Sequence, residues 1–127
     1  MQTLRESHYV HNHLLTGKRG EQEAEKYLKR VGYAIIDKNF RSKIGEIDII
    51  AKDDDMLVFI EVKTRTSTFW GSPAEAIKRK KLHSIIRTSQ YYLLTHHNLP
   101  QNIRIDAIEI LVVNSETRIN HIKNITL

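Results

Sequence analysis

The sequence has no cysteine, and that removes disulfides and thiolate metal sites from consideration and fits a reducing compartment. No apolar run approaches the roughly 20 residues of a membrane-spanning helix. The polar, histidine-containing N-terminus has no signal-peptide core. A cytoplasmic protein with no membrane segment is the expectation. The sequence also shows no internal repeat, low-complexity segment or inter-domain linker. At 127 residues it is one domain, long enough to bury roughly two thirds of its unfolded surface.

What the chain does have is an excess of base. The formal net charge is +5, which raises the expectation of a polyanionic partner, chiefly nucleic acid. The charges are segregated. Acid gathers between Gly45 and Glu61, including Asp53–Asp55, and base gathers at Lys78–Lys81 and Arg87.

Residues 1–16 lack a clean period and read as a flexible arm. His8, His11 and His13 are close enough in sequence to suggest a metal, but a solvated arm explains them as well. From residue 17 to 127 the chain reads as a single domain. Gly17–Val31 is a helix with Ala24, Tyr27, Leu28 and Val31 on one stripe and Gly32 as its stop. Glu21 lies at the edge of that stripe. It either complements the helix dipole or points at the sheet the helix covers.

Three strands follow. Tyr33–Arg41 is the first, and Ser42–Gly45 is a turn. Glu46–Lys52 is the second, with Ile47 and Ile49 expected on one face and Glu46, Asp48 and Ile50 on the other. Asp53–Asp55 is the hairpin turn, without the spacing or the glycine of a calcium loop. Leu57–Arg65 is the third strand, apolar on both faces at its start and therefore central. Glu61, Lys63 and Arg65 then place charge on a face that has just been apolar. Such a conflict between burial and pattern marks a functional site.

Phe69 and Trp70 sit on a loop, where they pack on the core edge or stack on bases. Ser72-Pro73-Ala74-Glu75 is a helix start, and the helix is expected to run to His96 with Ile77, Leu82, Ile85, Ser89, Tyr92 and Leu93 inward. Lys78 and Lys81 look toward the same side, as phosphate contacts or partners for the acidic cluster. Ile103–Val113 and Thr117–Ile125 complete the chain as strands four and five, with Arg104 and Asp106 on one face as a mutual or cross-sheet ion pair, or as support for the site. One mixed sheet with a helix on each face accounts for this order.

Asp48, Glu61 and Lys63 could meet at the end of the second and third strands. Two carboxylates about 4 Å apart repel by roughly 4 kcal/mol at an effective dielectric of about 20. They need a cation or a raised pKa. Mg²⁺ suits such a pair, because it takes one or two carboxylates and keeps room for water and phosphate oxygens. A lysine beside the water can position it or help deprotonate it. A structural ion-pair network explains the same residues.

The D-x12-E-x-K spacing formed by Asp48, Glu61 and Lys63 resembles the PD-(D/E)xK nuclease superfamily. The stretches GKRGEQEAEKYL, NFRSKIGEIDIIA, VFIEVKTR, GSPAEAIKRKKL, RIDAIEI and INHI resemble the bacterial YraN-like family over residues 17–125. The resemblance implies a restriction-endonuclease-like α/β fold with an αβββαβ core, a central mixed sheet flanked by helices, similar to Holliday junction resolvases. It implies catalytic roles for Glu21, Asp48, Glu61 and Lys63, with Asp48 and Glu61 as ligands of Mg²⁺ (or Mn²⁺). Glu46 would assist, and Lys78, Lys81 and Arg65 would touch nucleic acid. The proline usual before the first motif acid is replaced by Ile47. Three functions follow as alternatives: a metal-dependent DNA endonuclease, acting on junctions among other substrates; a silent nucleic-acid-binding protein of the same fold; or a protein-interaction module. A homodimer would suit a two-fold substrate, although no stretch identifies an interface.

Overall fold

The computed structural model of the chain describes residues 12–65, 77–113 and 116–126. His8, His11, the Phe69–Trp70 loop and the Ser72–Glu75 helix start lie outside the described residues.

Helix α1 spans Asn12–Arg30 and begins five residues before the position its periodicity suggests. Extending a helix costs far less than nucleating one, so the backbone continues beyond its apolar stripe. Strands β1 (Ala34–Arg41), β2 (Glu46–Asp53) and β3 (Met56–Arg65) form an antiparallel meander. Helix α2 (Arg79–Thr95) lies between β3 and β4 (Asn102–Val113) in the chain, and these two strands pair in parallel, as a crossover connection requires. β5 (Glu116–Ile122) returns antiparallel to β4. The sheet order is β1-β2-β3-β4-β5, and the αβββαβ core expected from the sequence is present.

The sheet buries both faces. Ala24 and Leu28 of α1 pack on Ile49, Ala51, Val58, Ile60, Ile108 and Ile110. Ile85 and Tyr92 of α2 pack on Ile47, Ile50, Leu57, Phe59 and Ile105. Leu57, Val58, Phe59 and Ile60 are all fully buried and alternate between the two layers, which confirms β3 as the central strand. Each such side chain contributes about 1.5–3 kcal/mol by leaving water.

Three further details depart from the sequence reading, and each has a local cause. α2 starts at Arg79, because Lys78 is extended (φ −75°, ψ 156°) and makes no side-chain cap. Its carbonyl still accepts the Leu82 N–H at 3.0 Å, so backbone alone closes the first turn. β5 ends at Ile122, because Asn124 (φ 57°) turns the chain and the Asn124 and Ile125 N–H groups donate to Asp106 Oδ1 and the Ile105 carbonyl.

The third departure concerns β2. Ile47 and Ile49 do not share a face: Ile47 joins the α2 layer and Ile49 the α1 layer. Between the pairs Lys38↔Ile49 and Phe40↔Ile47 lie Asn39 and Asp48, and Asn39 has φ 53°. Asparagine tolerates this left-handed conformation better than most side chains. The alternation of β2 breaks at Asp48, opposite this left-handed residue.

Candidate active site

The β2–β3 ladder ends at Ile49↔Ile60, one residue short of the two candidate carboxylates. Beyond it, Val62 N–H donates to Asp48 Oδ2 at 2.8 Å. Glu61 lies within hydrogen-bonding reach of Asp48. Sequence reasoning paired these two residues, and the structure brings them together.

Neither carboxyl is comfortable as an anion. Burial and then the Asp48 charge push Glu61 up to about 8, against the pull of Lys81. Burial also raises Asp48, opposed by the Val62 and Glu61 hydrogen bonds. Near neutral pH the pair therefore retains one proton. Lys81 of α2 places Nζ 3.6 Å from Glu61 Oε1. Glu61 Oε2 is buried and has no hydrogen-bond partner. A shared proton or a cation would satisfy it.

Glu21 approaches from α1. Its pKa is raised by burial and then by the Asp48 charge, and a hydrogen bond from Asn39 opposes the shift. Its position depends on the residue before it. A Cβ at Gly20 would overlap Thr64 Oγ1 of β3, so glycine allows the helix to sit close to the strand. Lys18, Glu21, Asn39 and Asp48 share the wall of a pocket of about 140 Å³. Glu46 stays exposed and pairs with Arg41 at 3.5 Å.

The candidate cations are dispersed. Lys63 is exposed, opposite Glu109 in the β3–β4 register, and forms no ion pair among the described residues. Arg65 is mostly buried and lies 3.8 Å from Glu109 Oε2. Lys78 is exposed at the start of α2. Arg104 and Asp106 form the expected ion pair, at 2.8 Å, but their other partners are Tyr33, Asp53, His121 and Asn124, all outside the site.

Two residues were missed in the sequence. Asn39 bonds Glu21, and its signal was an asparagine inside a strand, where it is disfavoured. Glu109 is 5% exposed beside β3, and its signal was a lone acid in the apolar run Ala107–Val113.

Among the described residues no group of three or more His, Asp or Glu side chains is arranged to hold a metal. The Asp48–Glu61 pair nevertheless fits a hard cation that takes its remaining ligands from water and substrate, since the buried Glu61 Oε2 lacks a partner.

Residues 20–110 match the family described as "Uncharacterised protein family UPF0102". The chain belongs to the UPF0102 family. It is 47% identical over 110 residues to a UPF0102 protein of Alkaliphilus oremlandii, covering 85% of this chain and 94% of that one. It is 46% identical over 110 residues to one of Persephonella marina (87% and 91%). One of Clostridium botulinum strain Kyoto is 46% identical over 121 residues (92% and 96%). The UPF0102 match contains Glu21, Asp48, Glu61, Lys63, Lys81 and Glu109, and it ends before β5. No helix among the described residues is long and apolar enough to cross a membrane.

Proposed function

We propose that this UPF0102 protein is a metal-dependent endonuclease that hydrolyses phosphodiester bonds in DNA, including branched DNA. The observation that carries this reading is the half-buried Asp48–Glu61 pair, whose buried Glu61 Oε2 has no partner and whose crowded charges a cation would relieve. Asp48 and Glu61 would hold Mg²⁺ or Mn²⁺. Bound there, the ion would acidify a water and stabilise charge on a phosphoryl oxygen.

The chain's own groups then have distinct tasks. Glu21, held by Asn39, faces Asp48 and orients water on the α1 side. Lys63 lies two residues from Glu61 on an exposed strand position, where it meets the attacking water and substrate. Lys81 neutralises the pair until substrate enters, and it then shares its charge with a phosphate. Lys78 extends that contact from the start of α2, and Arg65 supports the strand end through Glu109.

The Lys81–Glu61 ion pair also favours a second reading, a nucleic-acid-binding protein without cleavage, because Lys81 offsets part of the charge that would attract a metal. Linear, single-stranded, flap and four-way-junction DNA incubated with Mg²⁺ or Mn²⁺ separates the two. Cleavage that is lost in Asp48→Ala and Lys63→Ala supports the endonuclease. Salt-dependent binding with no cleavage supports the second reading. Cleavage that survives in both variants would mean the reaction belongs elsewhere.

A further inference from the structure

A second concavity, of about 650 Å³, lies between the β1–β2 turn and the C-terminal half of α2. No step at the carboxylate pair uses it. Its wall is aromatic. Phe40 and Tyr91 have ring centroids 6.3 Å apart and are tilted by 33°, and the His96 ring stands edge-on to Phe40 at 5.7 Å. Tyr91 is 40% exposed, whereas its neighbour Tyr92 fills the core. Its rim is cationic: Arg41 and Lys43 both line it and are both exposed, and Arg41 shares its charge with the exposed Glu46.

We infer that this groove binds an unpaired nucleotide of the nucleic-acid substrate, the base stacking on Tyr91 and the phosphate meeting Arg41 and Lys43. The inference rests on the nuclease reading for the kind of ligand. The groove supplies what that reading lacks, a preference for substrates with a single-stranded segment. A duplex keeps its base faces stacked inside and offers only sugar and phosphate to a concave aromatic wall. An unpaired base presents its π-face, and sequence-tolerant stacking on aromatic side chains beside a basic rim is the usual solution for single strands.

The groove is also linked to the carboxylate pair. Positions 81, 84, 88, 91 and 95 fall on one stripe of α2 at helical spacing. Lys81 reaches Glu61, Ser84 and Thr88 contact the turn at Gly45, and Tyr91 and Thr95 line the groove. A Cβ at Gly45 would lie 2.5 Å from Ser84 Oγ and 2.7 Å from Thr88 Oγ1, so glycine lets the turn close on the helix. From Lys81 to Tyr91 the helix rises about 15 Å. That distance spans up to about four nucleotides at roughly 3.4 Å each. The docked base would therefore lie a few nucleotides from the scissile phosphate.

The test is fluorescence anisotropy in EDTA, where cleavage plays no part, with three labelled probes: a single-stranded oligonucleotide, a blunt duplex, and the same duplex with a single-stranded overhang. The intact protein is expected to bind the overhang probe more tightly than the blunt duplex. Tyr91→Ala should weaken overhang binding about tenfold, Tyr91→Phe should restore it, and Lys43→Ala should weaken it and lower its salt dependence. Tyr91 is surface-exposed, and melting curves of the variants check that each is folded. Equal affinity for all three probes, or an overhang affinity unchanged in Tyr91→Ala, overturns the inference. So does a Tyr91-dependent change in sedimentation without any effect on the oligonucleotides, which would make the groove a contact between copies. Loss of the nuclease reading is seen separately, as absence of cleavage with Mg²⁺ while Tyr91-dependent binding in EDTA persists.

Discussion

Asp48 and Glu61 face each other just past the last rung of the β2–β3 ladder, and a side-chain bond, Val62 N–H to Asp48 Oδ2 at 2.8 Å, takes over where a β2 carbonyl would have accepted. The pairing stops at this point, and the two carboxyls lie just beyond it. That relationship generates most of the expected behaviour.

Glu61→Gln should separate function from stability. The amide keeps the shape of the protonated carboxyl that burial favours, so the melting temperature is expected to hold or rise. Cleavage of DNA in Mg²⁺ is expected to fall by about 10²–10⁴-fold, the usual range for losing a positioned acid–base or metal-holding group. Thermal melts and a gel-based cleavage assay on the same preparation check both. A clear loss of stability with activity retained would assign Glu61 a structural role.

The pair also sets a pH dependence. Glu61 is raised from 4.5 to about 8 in the folded protein. Between those values the folded state holds a proton that the unfolded state has released, so stability falls as pH rises through the window. Melts in EDTA from pH 5 to 8 should therefore slope downward, and Glu61→Gln should flatten the slope. Stabilisation by added Mg²⁺ should grow with pH over the same range, because the ion needs the deprotonated pair.

The opposite sign belongs to Asp106. Despite its burial, bonds from His121 at 2.7 Å, Arg104 at 2.8 and 2.9 Å and the Asn124 amide at 2.9 Å hold its pKa below the usual carboxylate range. Its contribution is complete above the unfolded value of 3.8 and is lost as pH falls through the lower folded value. Asp106→Asn leaves the mostly buried Arg104 short of its partner and should cost about 3–5 kcal/mol, measured by urea unfolding at pH 7. The penalty should shrink in strong acid.

Gly20→Ala should act on the site through the backbone. The new methyl meets Thr64 Oγ1, so α1 must move outward or Thr64 must turn, at about 1–3 kcal/mol. An outward shift of α1 displaces Glu21, and cleavage should fall with it. Adding Thr64→Ala removes the obstructing oxygen and should recover part of both stability and activity. No recovery in the double variant would show that the glycine is needed for something other than close approach.

The β3 pattern shows how much was legible. Leu57 to Ile60 are apolar on both parities, and only a strand covered twice can use that, so the central position followed from the residues themselves. The inward stripe of α2 was legible for the same reason: Ile85, Ser89 and Tyr92 are buried where the helical period puts them. The start of α2 was not, because Lys78 carries no capping group and its extended backbone leaves no mark in its side-chain type. The faces of Ile47 and Ile49 were not legible either. Strict alternation is a local rule, and the left-handed Asn39 opposite Asp48 belongs to the neighbouring strand.

The sequence by itself determined the order of elements, the burial of the sheet on both sides and the D-x12-E-x-K set, since side-chain periodicity and spacing are properties of the chain alone. Only the tertiary structure decided that Asp48 and Glu61 meet as a proton-retaining pair, that Lys81 rather than Lys63 pairs with Glu61, and that Asn39 reaches Glu21 while Gly20 lets its helix approach β3. Those outcomes depend on where a ladder stops and how closely a helix approaches a strand. Both are set by contacts between segments distant in sequence, where desolvation and Coulomb terms act through space rather than along the chain.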